Sequence, residues 1–337
     1  MQSSSMGSAA RVVVLGTGGT IAGTSASAGD NVGYTAATRG VAQLVAAVPA
    51  LAQVGLEGPE GLEGLEQAAL ETEQIAQLDS KDMGYAVWRQ LAQRIAQHLA
   101  RAEVAGVVVT HGTDTLEETA WFLQRVLAPA KPVVLTAAMR PATALHSDGP
   151  QNLVDAIGVA RAAGARGVLT AFAGTLHAAR DVRKVHPYRI DAFSSGDAGP
   201  LARIEEGRLR RLRDWPETEE ALGVDLLPED AKDWPWVEIV ASGVQADGAA
   251  VRALLVAGVR GLVVAATGNG SVHADLEAAL HAAQQQGVAV LRATRCLDGT
   301  IIEAASAQPD PLPSAGDLTP VKARVELMLR LLRPRSA

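Results

Sequence analysis

The sequence predicts an α/β protein with a large N-terminal domain, in which helices flank a mostly parallel sheet, and a smaller C-terminal α/β domain. Short runs of Val, Leu and Ile alternate with longer segments of helical periodicity. The apolar runs are nearly continuous, which is typical of parallel strands buried on both faces. The 337 residues, 48% of them hydrophobic, are enough for one large core or two smaller ones.

The N-terminal elements follow from this alternation. Strands are predicted at residues 11–16, 106–111, 132–137 and 167–172. Helices are predicted at residues 84–102, 116–128 and 152–164. In the first helix Val87, Leu91, Ile95 and Leu99 recur at four-residue steps, which places them on one face. We therefore assign residues 1–204 to the large N-terminal α/β domain.

The alternation stops over residues 205–235, which are rich in charge, contain three prolines and show weak periodicity. We interpret this segment as a linker. Beyond it, strands are predicted at 236–241, 261–267 and 288–294, and helices near 247–258, 273–286 and 319–333. Residues 236–337 therefore form the predicted C-terminal domain.

Composition argues against several classes of partner and cofactor. The formal net charge of −7 argues against a nucleic-acid or anionic-membrane surface. Charged residues, Gly or Thr interrupt every apolar run, so we expect no segment that spans a bilayer. Cys296 is the single cysteine, so neither a disulfide framework nor a thiolate metal set is expected. The seven histidines show no HExxH spacing, and we expect neither a metal nor an organic cofactor.

The first residues, MQSSSMGSAAR, lack the apolar segment of a secretory signal. We expect a cytoplasmic location if this N-terminus is native, and a periplasmic one if a signal peptide has been removed.

A glycine-rich stretch, GTGGTIAG, follows the first strand at residues 16–23. Gly16 and Gly18 fit a dinucleotide fingerprint, but Ile21 stands at its third glycine and no acidic residue follows about twenty positions later. The stretch also lacks the lysine of a P-loop. A tight turn without chemistry and a loop that presents Thr17 and Thr20 both remain open, although ligands of α/β sheets bind at such strand ends.

A second stretch, THGTDT at residues 110–115, has the same order of apolar strand, glycine, hydroxyls and helix. Helix capping by Asp114 or Thr115 accounts for one or two of these residues, but not for the whole set. Backbone N–H groups at the helix start could also stabilise an oxyanion. A threonine nucleophile needs a base, for which Tyr34 and Lys184 are candidates.

These stretches occur in a series of motifs that extends from about residue 11 to residue 332: GTGGTIAG, DSKDM, THGTDTLEETA, AAMRP, SDGPQNL, RDVRK and TGNGS. The series resembles the bacterial L-asparaginases, a family of asparaginases and glutaminases with a threonine nucleophile. AAMRP and SDGP resemble the type II branch, which is usually exported. The resemblance implies hydrolysis of L-asparagine to L-aspartate and ammonia through a threonine acyl-enzyme, and leaves minor glutaminase activity open.

The resemblance also implies catalytic roles. Thr20 matches the family's nucleophile, and Tyr34 matches the tyrosine of the loop that closes over the site and assists that threonine. Thr113, Asp114 and Lys184 match a second triad, in which the lysine helps to activate the threonine or the attacking water.

For substrate binding, Ser80 and Asp114 match residues that hold the α-carboxylate and α-amino groups of the amino acid. Lys81 follows Ser80 where many relatives carry Gln or Glu, so a cation there could alter affinity or amide preference. Asn269 and Glu303 match residues that a neighbouring subunit contributes, Glu303 by a poorly defined motif. The implied assembly is a homotetramer built as a pair of close dimers.

Two other functions stay open, and a third is disfavoured. One is a glutaminase-asparaginase with little preference, because the two amides differ by one methylene, worth only about 1–3 kcal/mol in a pocket. The other is a catalytically silent amino-acid-binding protein on the same fold. Ile21 makes a dinucleotide-dependent oxidoreductase the weakest alternative.

Overall fold

The computed structural model describes residues 11–52, 69–217, 220–303 and 312–333. The chain divides into two compact units, Met1–Val224 and Asp225–Ala337. The N-terminal residues 1–10, on which the expected location depends, lie outside the described residues. In the part of the chain that the structure describes, no helix has the length and apolar character needed to cross a membrane.

The first unit contains twelve strands among its described residues. They are β1 (Arg11–Gly18), β2 (Thr24–Ser25), β3 (Tyr34–Thr35), β4 (Leu70–Leu78), β5 (Val104–Thr110), β6 (Val133–Thr136), β7 (Val168–Phe172), β8 (Thr175–Ala178), β9 (Arg183–Lys184), β10 (Phe193–Ser194), β11 (Ala202–Glu205) and β12 (Arg208–Arg211). Its α-helices are α1 (Val41–Ala46), α2 (Pro49–Ala52), α3 (Tyr85–Leu99), α4 (Leu116–Leu127) and α5 (Gly149–Ala160). The predicted strands and helices of this region are confirmed.

Eight of these strands form one sheet in the order β12-β11-β8-β7-β6-β5-β1-β4. The neighbours from β7 to β4 all pair in parallel, whereas β8, β11 and β12 add antiparallel pairs at one side. The Val-rich strands are buried almost throughout, and α5 packs on β5, β6 and β7. The predicted mostly parallel, helix-flanked sheet is confirmed.

Three parts of this sheet differ from the sequence prediction, and one of them is the short strand β8, which was not predicted. β4 was not predicted, because an edge strand with the sequence LETEQIAQL lacks the continuous apolar run used to find the others. The hairpin of β11 and β12 runs into the predicted linker, so the first unit extends to Val224 and does not end at residue 204. Its two-residue turn, Glu206 and Gly207, has positive φ at both positions, as a type I′ hairpin requires.

The second unit has a three-stranded parallel sheet in the order β13-β14-β15. Its strands are β13 (Val237–Ala241), β14 (Gly261–Ala266) and β15 (Ala289–Thr294), and its α-helices are α6 (Ala249–Val256), α7 (Ala274–Gln285) and α8 (Pro320–Leu332). Each lies where the sequence predicts it. The small α/β domain is thereby confirmed as the second part of the fold.

Candidate active site

Two loops with threonine leave the same edge of the large sheet. β1 and β5 are parallel neighbours in which Gly16 pairs with Thr110. The first threonine loop (residues 16–23) and the second threonine loop (residues 110–115) therefore begin side by side. This edge is the carboxyl end of parallel strands, where α/β sheets bind their ligands.

The two threonine loops touch through glycines. Gly19 has a φ of 82°, which favours glycine, and a Cβ at this position would lie 2.4 Å from the Cα of Gly112. A Cβ on Gly112 would in turn lie 2.4 Å from the Oγ of Ser80. The loops can approach this closely only because neither residue carries a side chain.

The carboxyl end of β4 joins both loops. The carbonyl of Leu78 accepts a hydrogen bond from the Gly19 N–H at 2.9 Å. Ser80 is buried, and its Oγ accepts the Asp114 N–H at 3.2 Å while its carbonyl accepts the Thr115 hydroxyl at 2.8 Å. Because the Ser80 Oγ accepts here, its own proton is left to donate elsewhere.

The Thr20 hydroxyl is paired with a phenol. Thr20 opens a single 3₁₀ turn, Thr20–Ala22, and its Oγ lies 2.7 Å from the Tyr34 hydroxyl. Tyr34 belongs to a small antiparallel pair in which Ser25 lies opposite it. Thr17, the other hydroxyl of the first threonine loop, donates to the Thr110 carbonyl at 3.0 Å and so joins the two strand ends.

The Thr113 hydroxyl is hydrogen-bonded to a lysine that also forms an ion pair with Asp114. The Lys184 Nζ donates to the Thr113 Oγ at 2.9 Å and to the Asp114 Oδ1 at 2.6 Å. The lysine side chain is 18% exposed and the aspartate side chain 55%. Glu117 was not predicted as a site residue, yet its Oε1 accepts the Lys184 backbone N–H at 3.3 Å.

A buried chain of hydrogen bonds supports the second threonine loop from behind. The His111 Nδ1 lies 2.7 Å from the Gly112 carbonyl, and its Nε2 lies 3.0 Å from the Thr119 Oγ. Thr119 also accepts the Trp88 indole N–H at 2.9 Å. A carbonyl only accepts, so Nδ1 carries the proton, Nε2 accepts from Thr119, and each member of the chain is satisfied.

Complete burial lowers the pKa of His111 to about 4. The imidazole is therefore neutral at neutral pH and keeps the protonation pattern that the chain requires. No direct signal in the sequence distinguishes this histidine from the predicted catalytic residues beside it, and its position after a buried strand is its main clue.

The remaining predicted binding residues lie in two other places. The Lys81 Nζ is exposed and forms ion pairs with Asp79 at 3.0 Å and Asp82 at 3.2 Å, so its charge is offset locally. In the second unit, the Asn269 amide forms a reciprocal pair with the backbone of Ile302, at 2.9 and 2.8 Å. Glu303 accepts two hydrogen bonds from Arg292, at 2.9 and 3.1 Å.

The first unit thus combines two hydroxyls, each with its own hydrogen-bonded partner, on adjoining loops. One hydroxyl is bonded to a phenol and the other to an ammonium–carboxylate pair, an arrangement that can move protons to and from a reacting group. Within the described residues, no group of three His, Cys, Asp or Glu side chains is placed to hold a metal ion.

Comparison with known families accounts for nearly the whole chain. Residues 11–216 match the family described as "Asparaginase, N-terminal", and residues 236–336 match the "Glutaminase/Asparaginase C-terminal domain". The chain belongs to the asparaginase family.

The alignments with individual relatives cover most of this chain and most of each relative. The chain is 36% identical to a glutaminase-asparaginase of Pseudomonas fluorescens biotype A, over 97% of its own length and 88% of the relative's. It is 35% identical to L-asparaginase 2 of Escherichia coli K12, over 96% and 89%. It is also similar to the crystal structure of a probable cytoplasmic L-asparaginase from Campylobacter jejuni, with a TM-score of 0.85 and 37% identity over 96% of each chain.

Proposed function

We propose that this member of the asparaginase family hydrolyses L-asparagine to L-aspartate and ammonia through a threonine acyl-enzyme. The observation that carries the proposal is the pairing of Thr20 with Tyr34 beside the pairing of Thr113 with Lys184 and Asp114. Family membership and the names of its relatives support an amidohydrolase over a silent binding protein. The reaction requires a nucleophile, a proton relay and donors to an oxyanion.

In the first half-reaction, the Thr20 Oγ attacks the side-chain amide carbon of asparagine. The C–N bond breaks, and the hydroxyl proton reaches the leaving nitrogen through the Tyr34 oxygen, so that ammonia departs and an ester on Thr20 remains. In the second half-reaction, water attacks this ester, the threonine hydroxyl is restored and aspartate is released. Thr113, Asp114 and Lys184 orient that water and move its proton.

The amino-acid end of the substrate is proposed to bind at Ser80 and Asp114. The Ser80 hydroxyl proton is available to the α-carboxylate, and the exposed Asp114 carboxylate is a partner for the α-ammonium group. Lys81 lies near this end, but its pairing with Asp79 and Asp82 limits its influence on the substrate.

We propose a homotetramer, built as a pair of close dimers, in which Asn269 and Glu303 of one subunit contribute to the site of its neighbour. In the described structure both side chains are held by their own unit, through Ile302 and Arg292. Sedimentation equilibrium measures the assembly, and a monomer with full activity would contradict this arrangement. We propose a cytoplasmic location if the N-terminus is native and a periplasmic location if a signal peptide was removed.

The first test is ammonia release from L-asparagine and, separately, L-glutamine. We expect Thr20→Ala and Thr113→Val each to reduce asparagine turnover at least a thousandfold, as the loss of a nucleophile or its relay does. Thr17→Val is the matched control, because Thr17 lies in the same loop and has no proposed catalytic role; its turnover should stay within tenfold of wild type.

Folded wild-type protein that releases ammonia from neither amide would contradict the proposal and favour the binding protein. Full turnover in excess chelator is expected, and a loss restored by a divalent ion would contradict a metal-independent reaction. Equal rates on both amides would favour the second candidate, a glutaminase-asparaginase. The observation in its favour is the name of the Pseudomonas fluorescens relative.

A further inference from the structure

The loop that follows β6, here called the β6 loop (residues 137–148), is hydrogen-bonded to the segment that leads to Tyr34. That segment leaves the first threonine loop at residue 23 and follows the β6 loop as far as residue 28. Three hydrogen bonds join the two: from the Ala142 N–H to the Gly23 carbonyl at 2.9 Å, from the Ser25 N–H to the Thr143 Oγ at 2.8 Å, and from the Leu145 N–H to the Ala28 carbonyl at 3.1 Å.

The β6 loop also supports Thr20, through the neighbouring residue Ile21. Ile21 is buried in a small apolar cluster with Ala138, which lies at the start of the loop. The end of the loop is equally close, because a Cβ on Gly149 would lie 3.0 Å from the Ile21 Cγ1. The positions of Thr20 and Tyr34 therefore both depend on how the β6 loop is held.

Asp148 ties the two ends of the β6 loop together. Its Oδ2 accepts the Met139 N–H and its Oδ1 accepts the Arg140 N–H, both at 2.9 Å. The Asn152 Nδ2 completes the closure, because it donates to the Asp148 Oδ2 at 3.2 Å and to the Ala137 carbonyl at 2.9 Å. Three donors thus converge on one side chain, and a carboxylate can accept with both of its oxygens.

Helix capping does not account for this aspartate. Asp148 lies immediately before α5, where an aspartate commonly accepts N–H groups of the first helical turn. Within the described residues, its side chain makes no such bond and reaches back to the β6 loop instead. Burial raises the pKa of Asp148 above its ordinary value of 3.8, so the charged carboxylate is kept at this place at a free-energy cost.

The positive charge of Arg140 favours the ionised form of Asp148 from within the same loop. The Arg140 guanidinium is engaged elsewhere, because it donates to the Tyr188 carbonyl at 2.9 Å and lies 4.1 Å from the centroid of the Tyr188 ring. The carboxylate therefore holds the loop through its hydrogen bonds to two backbone N–H groups and the Asn152 amide. That hold weakens when the carboxylate takes up a proton.

We propose that Asp148 is a positioning residue for the Thr20–Tyr34 pair, because its carboxylate fixes the β6 loop on which both residues depend. The inference deepens and rests on the proposed hydrolysis, in which Tyr34 relays the proton of Thr20. When the bonds of the carboxylate are lost, the loop loosens and Tyr34 spends less time at the Thr20 hydroxyl. Proton transfer suffers, whereas Ser80 and Asp114, at the ends of other strands, keep their places.

The first test follows Tyr34 without using activity. The full chain is labelled with 3-fluorotyrosine, and its three tyrosines give three ¹⁹F NMR signals, which Tyr34→Phe, Tyr85→Phe and Tyr188→Phe assign. Asp148→Asn replaces one acceptor oxygen by an NH₂ group that faces another donor. We expect the Tyr34 signal to shift or broaden in this variant, while the signal of Tyr85, on α3, keeps its position.

Asp155→Asn is the matched control. Asp155 is a second carboxylate of α5, it is buried, and burial raises its pKa as well. Its Oδ1 accepts a hydrogen bond from Gln151 of the same helix at 2.8 Å, and it does not reach the β6 loop through any hydrogen bond among the described residues. This variant should leave the Tyr34 signal at its wild-type position.

Asparagine kinetics then connect the loop to the reaction. Asp148→Asn should lower kcat/KM about tenfold, whereas aspartate affinity should stay within about threefold of wild type, because misplacement affects proton transfer and not the binding groups. Thr143→Val weakens the same support. The combined loss in the double variant should therefore be smaller than the product of the two single losses. Asp155→Asn should keep wild-type kcat/KM.

Acid titration gives a readout on the wild-type chain. As pH falls through the raised pKa of Asp148, the Tyr34 signal should move toward its position in Asp148→Asn, with a midpoint above 3.8. Asp30, in the segment that carries Tyr34, titrates lower, because the Gly33 N–H and then the Val32 N–H lower its pKa. The midpoint therefore distinguishes the two carboxylates. Asp155→Asn and His146→Gln, which remove other titratable groups nearby in the sequence, should keep this midpoint.

Four results would overturn the proposal. These are an unchanged Tyr34 signal in Asp148→Asn, equal shifts in Asp148→Asn and Asp155→Asn, a parallel loss of kcat/KM and aspartate affinity, and an acid midpoint that His146→Gln or Asp155→Asn abolishes. If Asp148→Asn fails to fold, the wild-type titration decides the question. If the wild-type chain releases no ammonia while the Tyr34 signal responds as expected, the proposed hydrolysis fails and the positioning by Asp148 stands.

Discussion

The two threonine loops begin at neighbouring strand ends, yet different structures hold the partner of each hydroxyl. Tyr34, the partner of Thr20, belongs to a segment of residues 24–35, here called the tyrosine arm, whose residues 26–30 are exposed. Lys184, the partner of Thr113, is largely buried. Behind the second threonine loop, His111, Thr119 and Trp88 form a chain of hydrogen bonds in which every member is satisfied.

This difference suggests a division of labour within one site. Segments with few buried contacts open at low free-energy cost, whereas buried and satisfied networks stay closed until large parts of the fold open. We therefore expect the tyrosine arm to open for the proposed substrate and product while the second threonine loop keeps its geometry. Substitutions in the tyrosine arm and substitutions in the second threonine loop should therefore affect substrate access and site geometry separately.

The largest effect is expected where the loops touch. In Gly19→Ala, the new Cβ meets the Gly112 backbone at 2.4 Å and the residue must keep a φ of 82°. Strain and overpacking together should cost about 2–5 kcal/mol and abolish turnover. Calorimetry measures the loss of stability, and ammonia release measures the loss of turnover. Gly158→Ala on α5 is the control, because its Cβ meets nothing within 4 Å; it should be neutral or stabilising. Equal stability of the two variants would contradict the contact.

The next effect concerns chemistry on the arm. Tyr34→Phe removes one oxygen from the proposed relay and keeps the ring. We expect kcat for asparagine to fall about 10²–10⁴-fold, the usual contribution of a positioned proton-transfer group. Aspartate binding should change less than threefold, because Ser80 and Asp114 are untouched. A parallel loss of aspartate affinity would mean that the tyrosine binds substrate and does not relay a proton.

A smaller effect is expected from the buried chain. Thr119→Val keeps the side-chain shape but leaves the Trp88 N–H and the His111 Nε2 without partners. Stability should fall by about 1–3 kcal/mol, and kcat should fall severalfold while KM stays constant. Thr119→Ser retains the hydroxyl and should restore kcat. If both variants have wild-type kcat, the chain supports the fold alone.

The same chain predicts a pH effect. The pKa of His111 is lowered to about 4 in the folded protein, below its ordinary value of 6.5. The unfolded chain therefore binds more protons in this range, so the stabilisation is present above pH 6.5 and is lost as pH falls toward 4. His111→Asn should flatten this part of the plot of unfolding free energy against pH. An unchanged slope would contradict a buried, neutral histidine.

The smallest effect concerns the anchor of the tyrosine arm. The Thr143 hydroxyl accepts the Ser25 N–H at 2.8 Å and lies 3.3 Å from the Ser25 carbonyl. Thr143→Val should lower kcat/KM two- to fivefold with little change in stability, because the arm loses one fixed contact. Thr143→Ser should behave as wild type. A stability loss above about 2 kcal/mol would show that the arm is part of the core.

Sequence patterns predicted the strands and helices that carry continuous or periodic apolar runs, including β1, β5 and the strands and α-helices described in the second unit. They missed β4 because Glu71 and Glu73 interrupt its apolar run. At this edge of the sheet the two carboxylates are accommodated by pairing with arginines. The close approach of Gly19 and Gly112 depends on the register of two strands about ninety residues apart in sequence. Nothing local in either motif encodes that register.

The site residues divide in the same way. Thr20 and Thr113 followed from strand-end motifs and a family resemblance, whereas Glu117 and the His111 chain became visible only through tertiary contacts. The surroundings of Lys81 also became visible only in the structure. Its sequence neighbours Asp79 and Asp82 turn out to be its ion-pair partners, so its local field is weaker than an isolated lysine would produce.

The reciprocal pair between Asn269 and Ile302 has a consequence for solvent exchange. The Asn269 side chain donates to and accepts from the Ile302 backbone, as a neighbouring strand would. The Ile302 side chain is exposed and lies outside any regular element, so its amide proton would ordinarily be replaced by deuterium within seconds. Because the Asn269 Oδ1 accepts this N–H, we expect its exchange to be slowed, and the rate is a spectroscopic marker of whether Asn269 stays bound to Ile302 or leaves it for the neighbouring site proposed above.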